Sequence, residues 1–317
     1  MIRFLRDTVH KREGTSRLSL LYILQQLLNA LQVTVIYALL SSAFVLFYGV
    51  TNRINLAFGA LAMWAACLTI MMVSLLEGVT FWPLIWVILA GGAMAIFNTA
   101  LLGFSIHHLV VKKLIGGRMQ TMLIATIAIA IILEEAMRLI NDSRELWLRP
   151  VFADPVPLVT GGAFPIQITP LQIAVLLLGF GMVLLLILMM KRHPFGLRWR
   201  AVADDLRMAA LCGISLSAVI GLSFVLATIM AALAGSMIAL LYGSASFAMG
   251  TIIGLKSMFI AVIGGLRSLQ GALAASVALA FFETFWSAYF EIAYRDVAAF
   301  CVLTLFLIIK PEGLRRR

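Results

Sequence analysis

Charge is scarce in this sequence. Asp, Glu, Lys and Arg make up 12% of its 317 residues, against 63% hydrophobic residues and a mean hydropathy of +1.06. Soluble globular domains carry about 25% charged residues, so that class is excluded. Acid is the rarer sign, 14 residues against 24 basic ones, leaving a formal charge of +10. Such an excess could serve nucleic acid, yet 17 of the 24 Lys and Arg fall within residues 1–20, 107–118, 191–207 and 310–317. Short basic clusters between apolar runs are the loop bias that orients a membrane protein, so no nucleic-acid partner is expected. Cysteine is equally sparse: Cys67, Cys212 and Cys301 have no paired spacing, which argues against a disulfide framework and a zinc site. His107 and His108 are neighbours, hence about 100° apart around a helix, and no other ligand type is close in sequence. They suit an interfacial position better than a metal site. No Gly-x-x-x-x-Gly-Lys-Ser/Thr loop occurs, so ATP hydrolysis through a Walker site is excluded, and Gly-x-Ser-x-Gly is absent too. No catalytic residue, metal or cofactor is expected. The first 20 residues are basic, but no small-residue cleavage site follows at signal-peptide distance.

Apolar runs dominate instead, at about 21–48, 54–76, 82–106, 119–140, 170–190, 214–242, 250–266, 270–290 and 296–310. Several reach the roughly 18–20 residues that a spanning helix needs. The pattern predicts an all-α polytopic protein embedded in membrane lipid, with about 8–9 spans. Residues 1–20 form a basic tail or interfacial helix, 21–314 one transmembrane domain and 315–317 a basic tail. Basic clustering places 107–118, 191–213 and the C-terminus in the cytoplasm, and the 141–170 loop outside. That loop carries Pro150, Pro155, Pro157, Gly161, Gly162 and Pro165 and is expected to be irregular. Nine full spans would leave the basic N-terminus outside, against the positive-inside rule. A segment within 21–76 that does not fully cross would resolve the conflict. The run Phe47–Gly59, with its asparagines, glycines and Arg53, is the place for it. A helix break over Asn52–Gly59 (Asn52, Asn55, Phe58, Gly59) also suits a solute route, because non-helical backbone at membrane depth is tolerated where water or protein meets it. Asn55 could equally be a helix cap.

Lys256 and Glu283 are ionisable groups inside apolar runs, where they serve either as hydrogen-bonding posts between helices or as part of a pathway. Glu134, Glu135 and Arg138 form a local helical cluster that reads as structural. Ala231–Gly235, Gly264-Gly265 and Gly271-Ala272 let helices approach closely. Between the runs ending at 190 and starting at 214 lies a basic, helix-competent stretch. Pro194 and Gly196 should break the preceding helix, Ala201–Cys212 should form one short helix with a Val202/Leu206/Ala209 stripe, and Gly213 should end it. On its own this stretch fits a topology-fixing loop as well as a docking helix.

Several segments, in order, resemble the permease subunits of branched-chain amino-acid ABC importers, the LivH/LivM family. Ala203-Asp204-Asp205-Leu206-Arg207-Met208-Ala209-Ala210-Leu211-Cys212-Gly213-Ile214 is similar to that family's Ala-Glu-Asp-Leu-Lys-Met-Ala-Ser-Leu-Leu-Gly-Ile loop. Met230–Gly235, Leu241–Gly243, Gly254-Leu255-Lys256, Ala261–Gly265, Glu283, Arg295-Asp296 and Pro311–Leu314 follow in order. Ile54-Asn55-Leu56-Ala57-Phe58-Gly59 resembles the family's Ile-Asn-Phe-Ala-His-Gly. Departures are Phe58 for His, Ala60 for an acid, Arg267 for Gly and Gln270 for Pro. The resemblance implies a BtuC-like (type II) importer fold and a non-enzymatic permease. It also implies a second permease subunit (a homologue or another copy), two cytoplasmic ATPase subunits and a periplasmic solute-binding protein. The solutes would be branched-chain or related amino acids, or urea, short amides or aromatic acids. It assigns ATPase coupling to Arg200, Ala203, Asp204, Asp205, Leu206, Met208, Ala209 and Gly213. The alternative is a stand-alone, ion-coupled carrier using Lys256 or Glu283.

Overall fold

A computed structural model describes residues 2–149, 156–159 and 166–309; the side chains of residues 2–20 lie outside that description. The expectations for Pro150, Pro155, Gly161, Gly162, Pro165 and the 310–317 tail therefore fall outside the described residues. Among the described residues, twelve α-helices succeed one another: α1 (Ile2–Thr51), α2 (Ala57–Val79), α3 (Leu84–Ile106), α4 (Lys112–Leu114), α5 (Met119–Ile140) and α6 (Pro170–Arg192), then α7 (Pro194–Asp204), α8 (Leu206–Leu211), α9 (Leu216–Tyr242), α10 (Met249–Gly264), α11 (Leu269–Tyr289) and α12 (Arg295–Ile309). A π-helical turn, His107–Val111, joins α3 to α4. Among the described residues, seven helical stretches are long and apolar enough to cross a membrane: Leu21–Thr51, Ala57–Val79, Leu84–Leu114, Pro170–Arg192, Leu216–Tyr242, Leu269–Tyr289 and Ile292–Ile309. The polytopic all-α architecture is therefore as expected. α5, with 22 residues, and the shorter α10, with 16, complete the bundle.

The helix ends follow from local chemistry. Thr169 and Gln172 close a capping box on α6, with Pro170 at its first turn, where a missing N–H costs nothing. Ser268 caps α11 by accepting from Gly271 N at 3.2 Å. Deeper in, small residues set the spacing. A Cβ on Gly235 of α9 would run into the Ala62 carbonyl of α2, and one on Gly271 into the Gly264 carbonyl of α10. Hydroxyl pairs join the same layers: Thr69 donates to Ser236 at 2.9 Å, and Ser41 and Ser276 share a 2.9 Å hydrogen bond. α9 lies at the centre, against α1, α2 and α3.

Three expectations are corrected. First, the helix break is shorter than Asn52–Gly59: only residues 52–56 are non-helical, between stretches Leu21–Thr51 and Ala57–Val79 that are both long and apolar enough to cross. At one end of the apolar stretch Leu21–Thr51 of α1, Gln25 exchanges two hydrogen bonds with the Gln167 backbone, at 3.0 and 3.2 Å. At the other, Asn52 accepts from Arg267 in the α10–α11 turn at 2.7 Å. The described part of α1 thus runs the depth of the bundle. Second, the 141–170 loop is not wholly irregular. Strand β1 (Leu146–Trp147) pairs with β4 (Ser244–Ala245), and β2 (Val156–Val159) with β3 (Ile166–Ile168), both antiparallel. Third, the 194–213 stretch is two helices, and Gly196 lies inside α7 rather than breaking a helix.

Candidate functional site: a buried ion network, a helix break and an exposed corner

The two ionisable residues singled out within apolar runs meet. Lys256 of α10 and Glu283 of α11, each 3% exposed, lie 2.8 Å apart as an ion pair. Lys256 also holds Asp296 of α12 at 2.8 Å, and Arg295 flanks Asp296 at 3.3 Å. Tyr37 of α1 donates to Glu283 Oε2 at 2.6 Å. Two cations and two carboxylates therefore balance, and the network ties four helices together. Desolvating such charges is expensive unless each is paired, which this arrangement achieves.

Beside the network opens a cleft of about 350 Å³, lined by Gln26, Asn29, Tyr37, Tyr242, Glu283, Ser287 and Arg295 among others. It lies toward the end of the bundle carrying β1–β4, since its walls include the first turns of the apolar stretch Leu21–Thr51 and the ends of α9 and α11. The volume is at the small end for ligand pockets. Its wall presents one cation, one anion and several neutral hydrogen-bonding groups, a set able to hold a small polar or zwitterionic solute. The sequence reading missed Gln26, Asn29, Tyr37 and Tyr242. A signal existed: Tyr22, Gln26, Asn29, Val33 and Tyr37 recur every three or four residues, one stripe of α1.

At the 52–56 link, Asn52 adopts φ 51 and is exposed, consistent with the tolerance of asparagine for left-handed backbone. Asn55 is 1% exposed, and its Oδ1 accepts from Ala57 N at 2.9 Å, capping α2. Its buried Nδ2 has no partner among the described residues. Phe58 is fully buried against Phe44, Phe47 and Phe224, with centroids 5.3–5.9 Å apart within that group. Gly59 meets Gly250 and Gly254 of α10 at a contact that a Cβ would obstruct. These four residues are not brought to the Lys256–Glu283 cleft.

The corner between α6 and α9 is fixed to the body from within. Trp199 Nε1 donates to the Leu46 carbonyl at 2.9 Å, and Arg200 donates to the Met190 carbonyl at 2.6 Å. Val202, Ala203 and Ala209 are buried and Leu206 is half-buried, so the predicted stripe faces the protein itself. Asp205 separates the helices: its Oδ1 accepts from Arg207 N at 2.7 Å and Met208 N at 3.1 Å as the N-cap of α8. Gly213 ends α8 at φ +80, as expected of a C′ residue. Met208 and Leu211 project outward, 62% and 82% exposed, beside exposed Asp204, Asp205 and Gly213.

Residues 26–309 match the family described as branched-chain amino acid transport system / permease component. The chain belongs to that family. It is 31% identical over 300 residues to the high-affinity branched-chain amino acid transport system permease protein LivH of Escherichia coli K12, covering 94% of this chain and 96% of that protein. It is 30% identical over 298 residues to LivH of Salmonella typhimurium, with the same coverage. Against the corresponding permease BraD of Pseudomonas aeruginosa it is 32% identical over 298 residues, covering 93% and 96%. Among solved structures, PsaBC from Streptococcus pneumoniae in complex with Fab has a TM-score of 0.44 and 14% identity over 90% of this chain and 91% of that one, too low to assign a shared fold. Family membership makes this chain a multi-pass transport permease, and its relatives are permeases rather than enzymes.

Proposed function

We propose that this chain is the permease subunit of an ATP-driven importer, with a BtuC-like (type II) arrangement. Residues 21–314 work as one translocation domain, and a second permease, homologous or identical, completes the path. Two cytoplasmic ATPases drive it, and a periplasmic binding protein delivers branched-chain or related amino acids. The 141–170 loop faces the periplasm, while 191–213 and the C-terminus face the cytoplasm. Family membership supports the transport role. The observation that carries the coupling role is the α7–α8 corner, anchored through Trp199 and Arg200 yet presenting Met208 and Leu211 outward. An apolar pair on a rigid corner suits an ATPase groove, with Asp204, Asp205 and Gly213 at its edge. Ala203, Leu206 and Ala209 transmit the motion by packing rather than by contact. The cleft beside Glu283 and Lys256 fits a solute with one cationic and one anionic end, and the unpaired Asn55 Nδ2 suits a second polar contact along the path.

The test is uptake by membranes containing the chain with its co-encoded ATPases and binding protein. Uptake requiring ATP, and lost with Met208→Glu/Leu211→Glu while the protein still inserts, is expected. The buried network favours one rival, an ion-coupled carrier. Uptake that persists without ATPases and follows an ion gradient would establish that rival instead.

A further inference from the structure

The end of the bundle that carries α7 and α8 holds a cavity of about 840 Å³, bounded by α1, the α6–α7 corner and the α10–α11 turn. Among the described residues, its charged lining is of one sign: Lys191, Arg200 and Arg267, with no carboxylate on the wall. Arg200 donates to the Met190 carbonyl and Arg267 to Asn52 Oδ1, both neutral acceptors. Among the described residues, none of the three cations forms an ion pair. A guanidinium has five N–H donors, so these bonds hold each group in place and leave donors and charge uncompensated. The first turn of the 21-residue α11 opens on the same wall through Ser268, Leu269 and Gln270, adding the positive end of a helix to the three cations. The remaining wall is apolar, with Val45, Leu46 and Ile187. Arg267 and Gln270 stand where the resembling family pattern has Gly and Pro, so part of this charge is a feature of this chain.

Three like charges around one cavity repel each other until an anion enters. A carboxylate offers two acceptor oxygens, whereas a phosphate offers more, enough to take donors from two guanidinium forks and an ammonium together. We infer that this cavity binds a phosphate group, carried either by a phospholipid headgroup whose chains lie on the apolar wall or by a small soluble phosphate. Neither the identity of the transported solute nor the ATPase docking enters this assignment.

Native mass spectrometry of the full chain in zwitterionic detergent tests it, with phosphatidylglycerol and phosphatidylcholine added at equal concentration. Calorimetry with inorganic phosphate and pyrophosphate runs in parallel. Wild type should retain phosphatidylglycerol over phosphatidylcholine, and Arg267→Gly and Lys191→Gln should each weaken that retention by about five-fold. Phosphate or pyrophosphate binding with the same dependence on both variants, and no lipid preference, supports the site with a soluble source. Equal retention of the two lipids together with no phosphate binding overturns the proposal. A preference unchanged in the Arg267→Gly/Lys191→Gln double variant overturns it too. Both side chains are exposed, so these variants leave packing intact, and a thermal melt of each checks this. Arg200 is left unchanged because its bond to Met190 belongs to the fold of the corner.

Discussion

Lys256 stands between two carboxylates, Glu283 and Asp296, each at 2.8 Å, so the charges of the network are unequal in what they hold. Replacing Glu283 with Gln leaves Lys256 its bond to Asp296, and the new amide can still accept from Tyr37. Lys256→Met, by contrast, removes the ion-pair partner of Glu283 in a site where Glu283 is 3% exposed. Stranding one member of a buried pair costs about 3–5 kcal/mol, so Lys256→Met should lower the melting temperature far more than Glu283→Gln. The Lys256→Met/Glu283→Gln double variant should recover part of the loss. Melting curves in detergent decide it, and equal losses for the two single variants would refute the asymmetry. Asn55 allows a second residue-scale check. Asn55→Ser keeps an acceptor for Ala57 N but removes the unpaired Nδ2, so stability should stay near wild type while solute selectivity changes. Asn55→Ala should also lose about 1 kcal/mol of capping. Uptake assays across amino acids and amides give the first answer and thermal melts the second; unchanged selectivity in Asn55→Ser would leave Asn55 a cap alone. Lys256 and Glu283 were visible in the sequence because ionisable side chains in apolar runs stand out. Tyr37 was not, because one tyrosine in a spanning helix is ordinary and its partner lies 246 residues away.

Between α6 and α9 the sequence reading found the helix-competent stretch but not its break. Asp205 sat inside the single helix expected over Ala201–Cys212; its carboxylate instead takes two backbone donors and starts a second helix, turning the chain at φ −149. The Val202/Leu206/Ala209 stripe was legible, but amphipathicity does not say whether the apolar side meets this chain or a partner. The packing answers that: Ala209 is 4% exposed and Leu211 82%. Ala209→Glu should therefore damage the fold by forcing a charge into the body. Met208→Glu/Leu211→Glu should insert and melt like wild type yet lose ATPase co-purification. A well-folded Ala209→Glu variant, or retained ATPase binding by the double variant, would refute this division of the corner. Asp205→Ala should expose the α8 amides, and hydrogen exchange over 206–211 should rise several-fold for about 1 kcal/mol of lost cap. Exchange at the wild-type rate would show that packing alone holds α8.

Across the whole molecule, hydropathy located the helices well because each spanning segment must be apolar and satisfy its own backbone. The segment read at 119–140 is α5, Met119–Ile140, and the one read at 170–190 is α6, which ends at Arg192. The front was harder to read, because Asn52 and Asn55 suggested an incomplete crossing. Those asparagines sit in a five-residue link, one on left-handed backbone and one capping α2, and neither lies within a helix. The contacts of α1 then fix a relation between the two termini. Gln25 lies against β3 in the 141–170 loop, and Asn52 lies against Arg267 between α10 and α11. Among the described residues, the nine longer helices (α4, α7 and α8 set aside), alternating in direction from Leu21, bring the end of α12 to the face opposite Leu21. A protease-cleavable tag placed before Leu21 should be cut from outside intact cells, and one placed after Ile309 only after permeabilisation. Glu145→Cys, in a background without Cys67, Cys212 and Cys301, should react with an impermeant reagent from the same side as the first tag. Ser217→Cys should react from the side of the second. Both positions are exposed, so a missing signal cannot be blamed on burial. Two tags cleaved from the same side would mean that α5, with its three charges, or the 16-residue α10 does not cross. The basic N-terminal segment would then stay with the other basic loops, as the positive-inside rule prefers. Tags on opposite sides would mean that packing of α1 along α9 and α11 outweighs that preference.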